Sequence, residues 1–295
     1  MITRGVYAAG LSVLNTDLSL DIDATVRHAE DLIKNGLHGV FFFGSTGQSQ
    51  LLGLQDKKKL ISKISNHKLK KQFFLGTGNN ALQDNIDLID HGFNKNGFST
   101  WLLMPPAYFP KTDQGVFNFY QKIISKFPKI QVGVYNFEKL SGYKFSIEAI
   151  TKLAKAFPSN IRFVKDSSYN LYEKLRIKDL YVLPGSEAYL LKGLEKGCGG
   201  IISAVTNLTH SLARKVFDDF NNKKEQTVNE KLIKVRETFD NYPLIPALHS
   251  IMSDQDERYK NLLPALTLLS EEKKQELLSK LKELNFIPKT NSVAA

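Results

Sequence analysis

Gly39-Val-Phe-Phe-Phe-Gly-Ser-Thr-Gly-Gln48 is the stretch whose reading decides the fold. Val40 to Phe43 are consecutive apolar residues, too few for a helix and without alternation, which suits a strand covered on both faces. Gly44 to Gln48 then supply glycines and hydroxyls, the composition of a tight turn. The pattern recurs along the chain. Gly5–Val13, Gln72–Gly76, Ser99–Met104, Gln131–Tyr135, Ile161–Lys165, Leu180–Pro184 and Gly199–Ala204 predict seven further strands, making eight with Gly39–Ser45. Between them lie segments of helical periodicity: Asp21–Asn35, Asp56–Asn66, Ala81–Asn96, Asp113–Phe127, Ser146–Phe157 and Leu208–Phe220. The first ends at Asn35-Gly36, a helix stop, and Ser146 followed by Glu148 fits a helix start. Alternating strands and helices imply a parallel sheet, and eight strand–helix units imply a closed (β/α)8 TIM barrel rather than an open sheet.

The barrel accounts for residues 1–222. Residues 223–295 carry helical periodicity and no strand signal, so they predict a C-terminal helical region, interrupted at Pro243, Pro246 and Pro264. Lys289–Ala295 are expected to fray.

Composition narrows the function. Among 295 residues, Lys and Arg number 40 and Asp and Glu 30, a formal charge of +10. The lysines fall in short clusters, such as Lys57-Lys58-Lys59, Lys68 to Lys71 and Lys223-Lys224, without interleaved aromatics. They read as solvated helix faces, not a nucleic-acid platform. The excess mildly favours anionic small substrates by long-range steering. A single cysteine, Cys198, excludes an internal disulfide. The six histidines show no metal-ligand spacing, so metal catalysis is disfavoured. No apolar run approaches the length of a membrane span. Met1 to Tyr7 do not resemble a secretory leader, so the cytoplasm is the expected compartment.

In a (β/α)8 barrel the active site lies at the C-terminal ends of the strands. Those ends carry Ser45 and Thr46, Tyr108, Tyr135, Lys165, Gly185-Ser186-Glu187 and Ile202. Lys165 stands out because lysine is rarely buried unless paired. Burial disfavours an ammonium, and a neutral amine can add to a carbonyl as a Schiff base. The alternative is a lysine paired with Asp166 or extended to the rim. Tyr135, one strand earlier, is either core filler or a proton shuttle beside such a lysine. The glycines around Ser45 and Thr46 either offer hydroxyls and N–H groups to a carboxylate or merely permit a tight turn.

Taken in order, Gly44-Ser-Thr-Gly-Gln48, Tyr135-Asn136, Val164-Lys165-Asp166 and Gly185-Ser186 resemble the dihydrodipicolinate synthase and N-acetylneuraminate lyase family, class I pyruvate-dependent aldolases. The resemblance spans nearly the whole chain and implies a homotetramer built from two tight dimers. It implies that Lys165 forms the imine with pyruvate or another 2-keto acid, so that no separate cofactor is needed. Tyr135 would then move protons, Ser45, Thr46 and Gly47 would hold the carboxylate and relay protons, and the Ile202 carbonyl would lie beside pyruvate. Tyr108 would cross a dimer interface into the neighbouring site. Gly185, Ser186 and Glu187 would meet substrate hydroxyls.

The chain departs from the synthase pattern after Tyr135. Where synthases carry an arginine that grips aspartate semialdehyde, this chain has Leu140, with Lys139 adjacent and Glu138 in place of a proline. Gln48 replaces a common glutamate. Leu140-Ser-Gly142 looks like the lyase branch. Three readings follow. The first is a lyase or aldolase acting on a 2-keto-3-deoxy sugar acid or N-acetylneuraminate to give pyruvate and an aldehyde. The second is dihydrodipicolinate synthase, and the third a non-catalytic keto-acid sensor.

Overall fold

The computed structural model describes residues 2–288; the expected fraying at Lys289–Ala295 lies outside them. Eight strands form one sheet: β1 (Gly5–Ala9), β2 (Gly39–Phe42), β3 (Phe73–Gly76), β4 (Thr100–Leu103), β5 (Gln131–Asn136), β6 (Ile161–Asp166), β7 (Tyr181–Pro184) and β8 (Gly200–Ser203). Every paired neighbour is parallel, and β8 returns to pair with β1. Between β7 and β8, Gly199 N–H donates to the Val182 carbonyl at 2.9 Å, which draws the last gap together. The predicted (β/α)8 barrel is therefore the fold.

Helices α1 (Ile22–Lys34), α2 (Leu54–Ile64), α3 (Leu82–Asp90), α4 (Asp113–Lys126), α5 (Glu138–Ser141), α6 (Ile147–Ala156), α7 (Leu190–Glu195) and α8 (Thr206–Asn221) occupy the connections. Asp21, Thr112 and Ser146 accept from the N–H groups of Ala24, Gly115 and Ala149 and so start α1, α4 and α6. Two expectations needed correction. The helix expected over Ala81–Asn96 is regular only to Asp90, then widens into a π turn over His91–Lys95. There Gly92 lies so close to Trp101 that a Cβ would sit 2.5 Å from its ring. Nor are there eight full strand–helix units, because the β6–β7 connection contains no α-helix. The Asp166 carboxylate instead accepts from Leu171 N–H (2.9 Å) and Tyr172 N–H (3.0 Å), tying that segment to the end of β6. Buried Leu171, Tyr172 and Leu175 fill the space a helix would cover.

Alternation along the strands sends one set of side chains into the barrel. Tyr7, Phe41, Phe74, Leu102, Phe163 and Ile202 pack there, with Phe41 and Phe74 stacked at 4.9 Å. Gly133 makes room for Phe163, whose ring would stand 2.1 Å from a Cβ at that position. The interior is a packed plug beneath a rim, not a channel.

Beyond α8 the chain continues as α9 (Asn229–Asp240), α10 (Leu244–Met252) and α11 (Glu271–Glu283). Val235, Phe239, Leu248 and Leu277 share one apolar cluster with Leu11, Val13, Val205 and Leu208 of the barrel. Burying each such side chain stabilises by roughly 2 kcal/mol, so the helical region is fused to the barrel rather than hinged on it. A polar chain reinforces the joint. Asn207 Nδ2 donates to the carbonyls of Ala9 and Ala204, and Leu11 N–H donates to Asn207 Oδ1. That fixes the amide, so His28 Nε2 (2.7 Å away) must be the donor to Oδ1, and His28 Nδ1 accepts from the Tyr259 hydroxyl at 2.8 Å. Burial holds the His28 pKa below its ordinary value, consistent with a neutral ring. No helix among the described residues is long and apolar enough to cross a membrane.

Candidate active site

Lys165 and Tyr135 are register partners on neighbouring strands β6 and β5. Because Phe163 points into the barrel, alternation brings Lys165 to the same face, two residues nearer the rim. Lys165 is 3 % exposed, and its Nζ stands 4.3 Å from the centroid of the Tyr135 ring. The Tyr135 hydroxyl is 3.1 Å from Ser45 Oγ, and either group can donate. Amine, phenol and serine hydroxyl thus form a short sequence at one end of the barrel.

The alternative pairing of Lys165 with Asp166 does not occur. Asp166, the next residue, points away and is occupied by Asn136 Nδ2 at 2.8 Å and by the Leu171 and Tyr172 N–H groups. Burial raises its pKa, and these donors counter the shift. Asn136 also donates to Asn170 and accepts from Phe145 N–H. The residues after Tyr135 and Lys165 are therefore braces that fix the two strand ends. Among the described residues no carboxylate pairs with Lys165, so its amine is available for chemistry.

A cavity of about 290 Å³ opens beside this group, with Tyr135, Ser45 and Leu140 in its wall. Ser45, Thr46 and Gly47 form a 3-10 turn after β2. β2 stops short of its predicted end because Phe43 takes a left-handed conformation, φ +59°. Gly44 needs no such freedom (φ −80°), whereas Gly47 lies where a Cβ would come within 2.9 Å of the Gly10 carbonyl. The glycine at 47 thus serves close packing of the turn against β1, while Ser45 alone of the three has its hydroxyl in contact with Tyr135.

A model of the dihydrodipicolinate synthetase family matches residues 2–284. This chain belongs to that family. It is 28 % identical over 211 residues to 4-hydroxy-tetrahydrodipicolinate synthase of Methanothrix thermoacetophila, covering 70 % of each chain. It is 26 % identical over 280 residues to a DapA-like lyase of Chloroflexus aurantiacus, covering 91 % of this chain and 93 % of that one. Among solved structures, dihydrodipicolinate synthase from Agrobacterium tumefaciens superposes with a TM-score of 0.85 at 26 % identity, covering 95 % and 99 %. The family is one of carbon–carbon lyases, and this dihydrodipicolinate synthetase family member is of that broad kind.

The remaining residues expected at the site divide. Thr46 is buried in the turn, and Ile202 lies in the barrel plug with Tyr135. Leu140, on α5, faces the cavity, whereas the wall does not include Lys139. Gly185 packs on Ser167, and Ser186 accepts from Ala188 N–H to start a local turn. Glu187 requires a correction. Its carboxylate accepts from Ser203 Oγ (2.6 Å) and Thr209 Oγ1 (2.9 Å) and faces Arg236 Nε of α9 at 3.5 Å. Fully buried, with both oxygens engaged, it anchors the helical region to the barrel in place of meeting substrate hydroxyls. Burial pushes its pKa up. Tyr108 is absent from this cavity wall and 91 % exposed, with φ +81°.

Two features escaped the sequence reading. Ile245 and Leu266, from the helical region, close the outer wall of the cavity. Lys57, read as part of a solvated lysine cluster, is completely buried. Its Nζ donates to the Thr77 carbonyl at 2.9 Å and to Asn79 Oδ1 at 2.6 Å, propping the β3–α3 loop that carries Gly78 into the cavity wall. Burial pulls the Lys57 pKa down to about 8. Helical phase was the available signal: Lys57 shares a face with Leu60, Ile61 and Ile64, whereas Lys58 and Lys59 do not.

Proposed function

We propose that this chain is a Schiff-base aldolase that breaks or makes the C3–C4 bond of a 4-hydroxy-2-keto acid, with pyruvate as the common product or substrate. The observation that carries the reading is the unpaired Lys165 amine 4.3 Å from the Tyr135 ring centroid, with the Tyr135 hydroxyl 3.1 Å from Ser45. Lys165 adds to the C2 carbonyl, and loss of water leaves an imine. Tyr135, relayed by Ser45, takes the proton from the C4 hydroxyl. The C3–C4 electron pair moves to the imine nitrogen, an aldehyde departs, and protonation at C3 and hydrolysis return pyruvate and the free amine. Positioned proton transfer of this kind contributes about 10² to 10⁴ in rate. The Ser45–Thr46 turn supports a carboxylate contact, since the first N–H groups of a helical turn have no partner within it.

The lyase direction is favoured over dihydrodipicolinate synthase because Leu140 stands in the cavity wall and no cation does. A 2-keto-3-deoxy sugar acid or N-acetylneuraminate is the polyhydroxylated member of this substrate class, and a 4-hydroxy-2-keto acid with a hydrocarbon tail is its apolar member. A keto-acid sensor would have no use for the phenol–serine relay. Exposed Tyr108 and Phe109, which follow β4, support a contact with a second copy of the chain; the tetramer of two tight dimers and the cytoplasmic compartment belong to the same reading by family resemblance.

Incubation with pyruvate and borohydride tests the reading. The expected result is a reduced pyruvate adduct on the Lys165 peptide; an adduct elsewhere, or none, rejects it. Leu140→Arg should raise activity with aspartate semialdehyde about tenfold, as one charge-assisted contact implies. No gain would remove charge as the reason for excluding that aldehyde.

A further inference from the structure

Outward from Tyr135 the cavity wall turns to hydrocarbon. Leu102 and Met104 from the β4 end, Leu51 and Leu140 from the rim loops, and Ile245 and Leu266 from the helical region form its sides. Among the described residues, the wall contains no Asp, Glu, Lys, Arg or His. Its polar side chains besides Tyr135 are Ser45, Gln48, Ser49 and Gln50, a minority beside the apolar ones, and two of them are partly engaged. Ser45 is bonded to Tyr135, and Gln48 Oε1 accepts from Leu263 N–H at 2.8 Å, which leaves the Gln48 amide nitrogen as a buried donor without a partner. A polyol tail would set most of its hydroxyls against carbon, and a charged aldehyde would find no cation in the wall; both lose more hydration than these few polar groups return.

We infer that the carbonyl compound released from, or added to, the enamine is an aldehyde bearing an uncharged hydrocarbon group, branched or aromatic, that fills this wall. The inference rests on the aldolase reading above and specifies its substrate. The cleaved compound is then R–CH(OH)–CH₂–CO–COO⁻, where R is hydrocarbon. Breaking C3–C4 sends the electron pair to the Lys165 imine and the hydroxyl proton to Tyr135, giving R–CHO and an enamine; that proton then goes to C3, and water hydrolyses the resulting imine to pyruvate and the free amine.

An acceptor panel on the wild-type protein decides the matter. With pyruvate as donor, kcat/KM should rise about fourfold per methylene from acetaldehyde through propanal and butanal to pentanal, the gain expected for each buried CH₂. 3-Methylbutanal and benzaldehyde should exceed D-glyceraldehyde, N-acetylmannosamine and aspartate semialdehyde by at least about tenfold. A flat series, or faster addition to any of the polyol or charged aldehydes, overturns the inference. Borohydride trapping with pyruvate alone keeps the two claims apart. Trapping at Lys165 with a flat series rejects the hydrocarbon acceptor only; absence of trapping rejects the aldolase itself.

Discussion

Two of the buried lysines, Lys57 and Lys165, do opposite things. Lys57 lies in the layer between α2 and the sheet, and its ammonium is hydrogen-bonded to the Thr77 carbonyl and Asn79. Lys165 lies at the end of β6 over the Tyr135 ring, which itself lines the cavity, and pairs with no carboxylate among the described residues. Both side chains are buried, so burial alone does not mark a nucleophile. What separates them is occupation. A saturated amine is a strut, with its lone pair committed to a proton that holds a loop. An amine with open space beside it and a phenol within reach can attack a carbonyl.

The largest effect that would test this contrast is Lys165→Ala. Pyruvate release should fall to background, and the borohydride adduct should vanish while Lys57 is still present. An adduct that survived on Lys57 would reverse the two assignments. Next comes Tyr135→Phe, which keeps the ring under the amine and removes only the hydroxyl. Turnover should drop about 10²- to 10⁴-fold, yet trapping by pyruvate and borohydride should persist, since imine formation precedes the C–C step. Unchanged turnover would make Tyr135 mere packing.

Much of this was legible from the chain. Runs such as Val40–Phe43 and Trp101–Leu103 could only be strands covered on both sides, and eight of them in alternation with helices close a barrel. The fold then points to strand ends, where Lys165, Tyr135 and Ser45 are the conspicuous residues. What the chain concealed depends on long-range contacts. The β6–β7 segment folds without a helix because Asp166 captures its N–H groups, and nothing local to residues 167–180 announces that. Glu187 looked like a rim residue by position, but its partner Arg236 lies on α9. Ile245 and Leu266 reach the cavity from a region whose sequence shows only helical periodicity and prolines. Lys57 was misread because a run of lysines suggests a wet surface, although a helix distributes three consecutive residues over three directions.

A smaller effect is expected from Lys57→Met. The methionine is close in length and apolar, so packing is kept while the Thr77 carbonyl and the Asn79 side chain lose their donor. Leaving buried acceptors unsatisfied costs about 1–3 kcal/mol each, and relief of the buried charge offsets part of it. Chemical denaturation should therefore show a net loss of about 2 kcal/mol. The variant should retain the Lys165 adduct. Loss of that adduct in a protein of wild-type stability would mean that Lys57 takes part in the chemistry and that the two sites are one.

The smallest predicted effect has a sign that discriminates. Lys57 ionises at about 8 in the folded chain, below the ordinary 10.5 for lysine. Between those values the unfolded chain holds more protons than the folded one, so stability rises with pH. The penalty of the buried charge is fully present below about 8 and is relieved as pH climbs toward 10.5. From pH 7 to pH 9 the two ionisation constants give a gain of about 1 kcal/mol. Lys57→Met, lacking the group, should show a pH response flatter by that amount, and the difference between the two denaturation series isolates Lys57 from every other titrating residue. Parallel curves would mean that the hydrogen-bonded amine keeps its proton throughout, and that its partners compensate for burial completely.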